Sequence, residues 1–274
     1  MMVRSVLVGL ALLLSGQAFA QTSGVPPELL NNNRRQNGEA FTACFDTTAT
    51  TIAFDHEVAQ AIADALFVEL KTKEGFGGFP LDGGGFIDEL MIAMNNTCDV
   101  FMGISVQVNS PFPEWVSVSR PYATMPFVLA VDNPDWQKLG DIPHDRKLGT
   151  ALQSLGELMY ITWAQQQPEA QRWKRLPYAN FDLMTKRVKD ESLGGMLLWQ
   201  PSLVKLMETN PDAAALRVIP LAPAPQAEIH VGALVSVKDS FLRTQIDEAI
   251  DALVADGTIA ALMEKYNYTG HPGE

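Results

Sequence analysis

The chain has 274 residues, with 20 Lys and Arg set against 32 Asp and Glu, a formal charge of −12. That sign opposes binding to nucleic acid or to anionic lipid. It leaves a small ligand open, because a ligand feels its pocket and not the whole surface, and the length allows one large domain or two lobes of ordinary size.

Residues 1–20 read as a secretory signal. Arg4 marks a short basic region, the apolar run from Val6 to Leu14 follows, and Ala18-Phe19-Ala20 is a small-x-small site, with cleavage after Ala20. The run is shorter than the roughly 20 apolar residues a membrane span needs. The expectation is therefore export to the periplasm without membrane insertion. No cysteine follows the site closely, which argues against a lipid-anchored form. Cleavage removes Arg4 and no acid, so the mature chain is more acidic still. Residues 21–39 are polar and aperiodic, with Pro26-Pro27 and Asn31 to Asn33, and read as a loose segment.

Ala40 to Asp46 is the first predicted strand, followed by a Thr-rich loop, Thr47 to Thr51. A helix is expected from Asp55 as N-cap, with Val58, Ala59, Ile62, Ala63 and Leu66 on one face. Phe67 to Thr72 reads as a second strand. The loop from Gly75 to Gly85 carries Gly83-Gly84-Gly85 with no lysine behind it, which excludes a phosphate-cradling loop. Phe86, Leu90 and Met94 mark the next helix. Two apolar runs, Val100 to Ile104 and Phe127 to Val131, read as buried strands separated by Asn109, Ser110, Pro111 and Pro113, which break any ladder. Loops at the carboxyl ends of parallel strands are where open α/β sheets bind ligands.

Beyond Val131 a second unit begins. Lys147 to Leu152 is a strand, and Ser154 with Glu157 forms a capping box opening a helix to about Gln166. Arg175 to Tyr178 and Gly194 to Trp199 are further strands, Asn180 caps a helix through about Lys189, and Pro201 suits a helix's first turn. Leu216 to Leu221 is a strand, Ala222-Pro223-Ala224-Pro225 a stiff extended linker, and Ile229 to Val237 a returning strand. Leu242, Ile246, Ala249, Ile250 and Leu253 stripe a helix ended by Gly257, and Thr258 starts the last helix. Alternating strands and helices predict an α/β fold of two Rossmann-like lobes joined by two crossover strands. Residues 40–126 with 228–274 form lobe 1, and residues 127–227 form lobe 2. Two connections between lobes suit closure about a hinge.

Cys44 and Cys98 are the two cysteines of an exported chain and are expected to form one disulfide across neighbouring strands; two buried thiols are the alternative. His56, His144, His230 and His271 are isolated, so no metal and no cofactor are expected.

Four places resemble the type II periplasmic solute-binding proteins of family 3, the polar amino acid receptors of ABC importers. Ala53-Phe54-Asp55 resembles the Gly-Phe-Asp that opens that family's first helix, and Asn96-Thr97-Cys98-Asp99-Val100 its turn into the third strand. Ser119-Arg120-Pro121-Tyr122 resembles its Ser-x-Pro-Tyr. Ala255-Asp256-Gly257-Thr258 with Lys265-Tyr266 resembles its C-terminal helix pair. The resemblance implies a non-enzymatic, monomeric receptor whose partners are a small-molecule ligand and an ABC permease.

The departures from that family bear on the ligand. Its amino acid receptors carry an arginine after the Gly-Ile-Ser turn to clamp a carboxylate, whereas Val106 to Ser119 holds no Arg or Lys. Glu157 stands in the helix that elsewhere serves the same carboxylate, and would repel an anion. The resemblance thus implies a solute other than a standard α-amino acid. Trp199-Gln200-Pro201 replaces an acidic strand end. Together with Cys98-Asp99-Val100 before the Gly turn and Arg120-Pro121-Tyr122 after it, this resembles the binding-protein-like accessories of quinoprotein alcohol (methanol) dehydrogenases, which implies an alternative partner, a periplasmic dehydrogenase or cytochrome.

Each candidate contact carries two readings. Asp46 accepts from a ligand amine or caps its own loop; Phe54 walls a cleft or packs in the core. Ser105 contacts ligand or is a plain turn serine. Gln153 and Ser154 offer a helix N-terminus, although capping alone explains Ser154. Trp199 stands at a cleft mouth or in a core, and Arg120 meets ligand charge or a surface ion pair. Were the chain an enzyme, Asp46 or Glu157 would be its acid.

Overall fold

The computed structural model describes residues 25–26, 29–30, 39–75, 85–106 and 112–273. The signal, most of the loose N-terminal segment, nearly all of the Gly-rich loop and the first part of the loop after Val106 lie outside the described residues.

The first half is built from β1 (Ala40–Phe45), α1 (Ile52–Ala65), β2 (Glu69–Glu74), α2 (Phe86–Asn96) and β3 (Val100–Ser105). These three strands pair in parallel with β1 in the middle. Cys44 on β1 and Cys98 at the entry to β3 are joined by a disulfide with their Cα atoms 5.7 Å apart. Helix α1 starts at Ile52 and not at Asp55, which corrects the expected N-cap. The reason is chemical: Asp55 is buried inside the helix and its carboxylate is used elsewhere, while Thr51 precedes the first turn. Val58, Ala59, Ile62 and Ala63 bury the expected face. Phe67 is excluded from β2. It takes a left-handed φ of 56° in the turn after α1 and is 95% exposed.

The second half contains β6 (Lys147–Ala151), α3 (Leu155–Gln165), β7 (Lys174–Tyr178), α4 (Phe181–Lys189), β8 (Leu193–Trp199), α5 (Gln200–Thr209), α6 (Pro211–Ala214) and β9 (Arg217–Ile219). Strand β6 lies between β7 and β8, all parallel. Ser154 caps α3 and Asn180 caps α4 by accepting from the Glu157 and Leu183 amides, 3.1 and 2.9 Å. Pro201 sits in the first turn of α5, where a missing amide costs nothing.

Two long strands tie the halves together. Strand β5 (Ala123–Val131) pairs through Ala123 to Pro126 with β10 (Glu228–Ser236), then through Phe127 to Ala130 with β8. The exchange of partner falls at Pro126, a residue with no amide to give a ladder. Strand β10 runs antiparallel to β5 and then to β3, and the incoming backbone at Ala227 accepts the Phe127 amide at 2.8 Å. The full strand order is therefore β2-β1-β3-β10-β5-β8-β6-β7. Short β4 (Val116–Val118), not expected from sequence, borders β10. The linker at Ala222 to Pro225 is no extended spacer: the Ala224 amide donates to Leu221 O at 2.8 Å and closes a turn.

Helices α7 (Ser240–Ala255) and α8 (Thr258–Lys265) return to the first half, separated by Gly257 at φ 87°. A last strand, β11 (His271–Pro272), pairs with β5 at Ala123 and Thr124. One core joins β1, β3 and β10 to α1, α7 and α8. The second half has a core on each face of its sheet, around α3 and around α4 with α5. Trp199 and Ile229 touch the first core and the α3 core at once, which marks the seam. Among the described residues no helix is long and apolar enough to cross a membrane.

Candidate functional site

The carboxyl ends of β1 and β3 in the first half and of β6 and β8 in the second carry the loops expected to meet a ligand. An open groove of about 410 Å³ runs along the starts of α4 and α5, with one residue of the first half, Thr50, in its lining. Thr50, from the β1–α1 loop, lines it from one side; Asn180, Asp182, Ser202 and Lys205 of α4 and α5 line it from the other. None of the contact residues expected from sequence lines this cavity. They sit at strand ends and helix starts, and Phe54 in the core.

Asp46 directly follows β1 and is partly exposed. Its Oδ1 accepts the Thr48 amide at 2.8 Å and the Thr48 hydroxyl at 2.7 Å, so it does cap its own loop. Among the described residues, Oδ2 has no partner. Ser105 is the exposed last residue of β3, opposite Val231 of β10.

Phe54 takes the core reading. Its ring is 0% exposed and meets Tyr122, Tyr266 and Tyr268 at centroid distances of 6.0, 5.9 and 5.4 Å, so it walls no cleft in this structure. Beside it lies a group that sequence reasoning missed. Asp55, 1% exposed, accepts the Tyr122 hydroxyl at 2.6 Å and the Thr51 hydroxyl at 2.8 Å. Gly103, at φ 77° in β3, donates its amide to the Tyr122 oxygen at 3.0 Å. A Cβ on Gly103 would run into the Asp55 carboxylate, which explains the glycine. Burial pushes Asp55 up to about 7 against the pull of its two hydroxyl donors. The segments Ala53-Phe54-Asp55 and Ser119-Arg120-Pro121-Tyr122 each carried one partner of this network, and nothing local links the two.

On the second half, Ser154 is held by its capping bond. Gln153 sits exposed at φ 60° in the turn before it. Glu157 is engaged within its own lobe. Glu157 is 5% exposed and accepts from Thr150 Oγ1 at 2.6 Å, from the Gln153 amide at 2.8 Å and from Arg175 Nη1 at 2.6 Å. Its charge is matched by Arg175 and it closes the amino end of α3 from within. Arg175 is distant in sequence and gave no local sign of this role. Gly156 of the same turn abuts the Phe127 ring, which sets α3 against the crossing strand.

Trp199 ends β8, half-buried at the seam, and donates Nε1 to Met125 O of β5 at 3.2 Å. The next residue, Gln200, is 5% exposed and reaches across to the first half, donating Nε2 to Asn267 O at 2.8 Å. Its Oε1 is buried and, among the described residues, has no hydrogen-bond partner. Tyr268, next to Asn267, has its hydroxyl pushed up by burial, then by the charges of Asp55 and Glu208. Arg120 makes the surface ion pair, 3.1 Å to Asp251.

No protein-family model matches the chain, and no curated protein matches it in sequence. Solved structures do match. The L-cystine solute receptor of Neisseria gonorrhoeae, in its unliganded open conformation, is similar with a TM-score of 0.62 at 20% identity, over 88% of this chain and 95% of that one. The GlnP substrate binding domain 2 of Lactococcus lactis, also open, gives 0.66 at 13% identity over 86% and 97%. A probable amino-acid ABC transporter extracellular-binding protein of Bacillus subtilis gives 0.64 at 13% over 83% and 97%. At these identities the likeness is one of fold, and the chain has the α/β fold of the type II periplasmic binding proteins.

Proposed function

We propose that this protein is a solute-binding receptor that closes two lobes over a small solute and presents it to the permease of an ABC importer. The observation that carries the reading is the open groove lined by Thr50 of one half and by α4 and α5 of the other, with two adjacent backbone segments tying the halves among the described residues. A hinge of that kind lets ligand contacts on both sides favour the closed state. The open structures to which the fold is similar support it, since their names describe a solute receptor and a substrate-binding domain.

On this reading, residues 40–126 with 228–274 form one lobe and 127–227 the other, and the mature chain works as a monomer in the periplasm after loss of residues 1–20. Asp46, Ser105, Gln153, Ser154 and Trp199 border the ligand, and Phe54 supports the floor from the core. The role needs no bond chemistry, and Glu157 is engaged in a structural ion pair. The dehydrogenase-accessory alternative gains no support from the structures compared.

The test is a thermal-shift screen of the mature protein against amino acids, amines, sugars and small acids. A ligand at a hundred times its dissociation constant adds about 2.7 kcal/mol of stability. No shift with any class counts against the receptor reading.

A further inference from the structure

Resting on the two-lobe receptor reading, we propose that residues 266–273, which follow α8, are a strap that restrains closure: they clamp the crossing strand β5 and hold the second half back through Gln200. Three sets of contacts carry this.

The strap is fixed to the first half. Tyr266 donates its hydroxyl to Glu57 of α1 at 2.6 Å, and the rings of Tyr266 and Tyr268 pack on Phe54 at the start of that helix. The Asn267 amide donates to Glu264 O at 3.0 Å and the Tyr268 amide to Met263 O at 2.8 Å, closing a turn in which Asn267 takes a left-handed φ of 54°. The Asn267 carbonyl therefore moves with α1 and α8.

The strap then grips β5 just before its exchange of partner at Pro126. His271 and Pro272 of β11 pair with Thr124 and Ala123, and the Gly273 amide donates to Tyr122 O at 2.9 Å. Thr124 Oγ1 donates to Gly273 O at 2.7 Å. A hydroxyl has one hydrogen, so the same oxygen accepts from His230 Nδ1 of β10, also at 2.7 Å, and strap, β5 and β10 are joined at one point. Gly270 makes the approach possible: at φ 121° it passes so close that a Cβ would collide with the Thr124 carbonyl.

Gln200 supplies the hold on the second half. It opens α5 directly after Trp199 of β8, is 5% exposed, and donates Nε2 to Asn267 O at 2.8 Å. Donor and acceptor belong to different halves, so a turn about the crossing strands changes their separation, and the acceptor, a backbone carbonyl in a tight turn, cannot follow. The bond is made while the groove beside Thr50 stands open. A contact made in one arrangement and stretched in another favours the first. The strap thus lowers the share of closed protein, and with it the apparent affinity for any solute that needs closure.

The experiment releases each end of the strap in the mature protein without ligand. Gln200→Leu removes the donor and keeps a buried side chain of similar size. Gly270→Val drives β11 off the Thr124 carbonyl. With spin labels at Thr50→Cys and Lys205→Cys, pulsed electron resonance reads the distance across the groove, and each melting temperature is measured beside it. Both variants are expected to raise the short-distance share over that of the parent, by about three- to tenfold for Gln200→Leu, as the loss of one hydrogen bond allows. A lower melting temperature with an unchanged distance distribution confines the strap to stability and overturns the inference, as does a shift to longer distances. If Gly270→Val does not fold, Gln200→Leu decides alone. The solute screen on the parent tests the receptor reading without these variants, so the two fail separately.

Discussion

The Asp55 carboxylate lies 2.6 Å from the Tyr122 hydroxyl, joining the first helix to the start of the crossing strand. The Gly103 amide completes the link from β3. Tyr122→Phe removes the donor and leaves the buried carboxylate short of one partner, a loss of about 1–3 kcal/mol. Chemical denaturation of the variant beside the parent measures it.

The same carboxylate sets a pH dependence. Its value is raised from 3.8 to about 7 by burial, so between these values the folded state holds a proton that the unfolded state has released. Stability from this group therefore falls as pH rises from about 4 to about 7 and is flat above, by at most about 4 kcal/mol. Asp55→Asn, which keeps the shape and cannot ionise, is expected to flatten that slope. An unchanged slope in denaturation at pH 4.5 and 7.5 would rule out Asp55 as its source.

Buried Glu157 pairs with the partly exposed Arg175. Arg175→Met leaves Glu157 to Thr150 and the Gln153 amide, and the expected loss is about 1.5–3 kcal/mol, in the range for hydrogen bonds to charged groups. The double variant Glu157→Gln, Arg175→Met should recover part of it, because the stranded charge is gone. Equilibrium unfolding of the three variants forms the cycle.

Reduction of the Cys44–Cys98 disulfide releases a 54-residue separation and should cost about 2–4 kcal/mol, read as a lower melting temperature in the presence of a phosphine reductant. A Cys44→Ala, Cys98→Ala variant should melt at the same reduced temperature.

Much of the fold was legible because its signals are local. The runs at Val100 and Phe127, the caps at Ser154 and Asn180, and Gly257 each act through residues within a turn or a strand. The cysteine pair was legible from the compartment and the strand order. What escaped depends on distant partners. Asp55 looks like an N-cap until Tyr122, 67 residues on, takes its carboxylate. Glu157 looks like a free acid until Arg175 is folded against it, and Gln200 has no signal at all until Asn267 comes within 2.8 Å. Phe54 follows the same rule: at a helix start its burial is decided by Tyr266 and Tyr268, from the other end of the chain. The β4 strand was missed because its three residues leave too short a pattern to read.

Trp199 spans the seam through its bond to Met125 O, so closure should change its surroundings. A ligand that raises the melting temperature is expected to alter tryptophan fluorescence, and Trp199→Phe should remove most of that change while leaving binding within about tenfold. A full signal retained in the variant would place the reporter elsewhere.

Closure itself is tested most directly by the distance between Thr50 and Lys205, which face each other across the cavity from opposite halves. With spin labels at Thr50→Cys and Lys205→Cys, pulsed electron resonance should show a distance that shortens when a stabilising solute is added. A distance distribution unchanged by saturating solute would contradict closure of two lobes over a ligand.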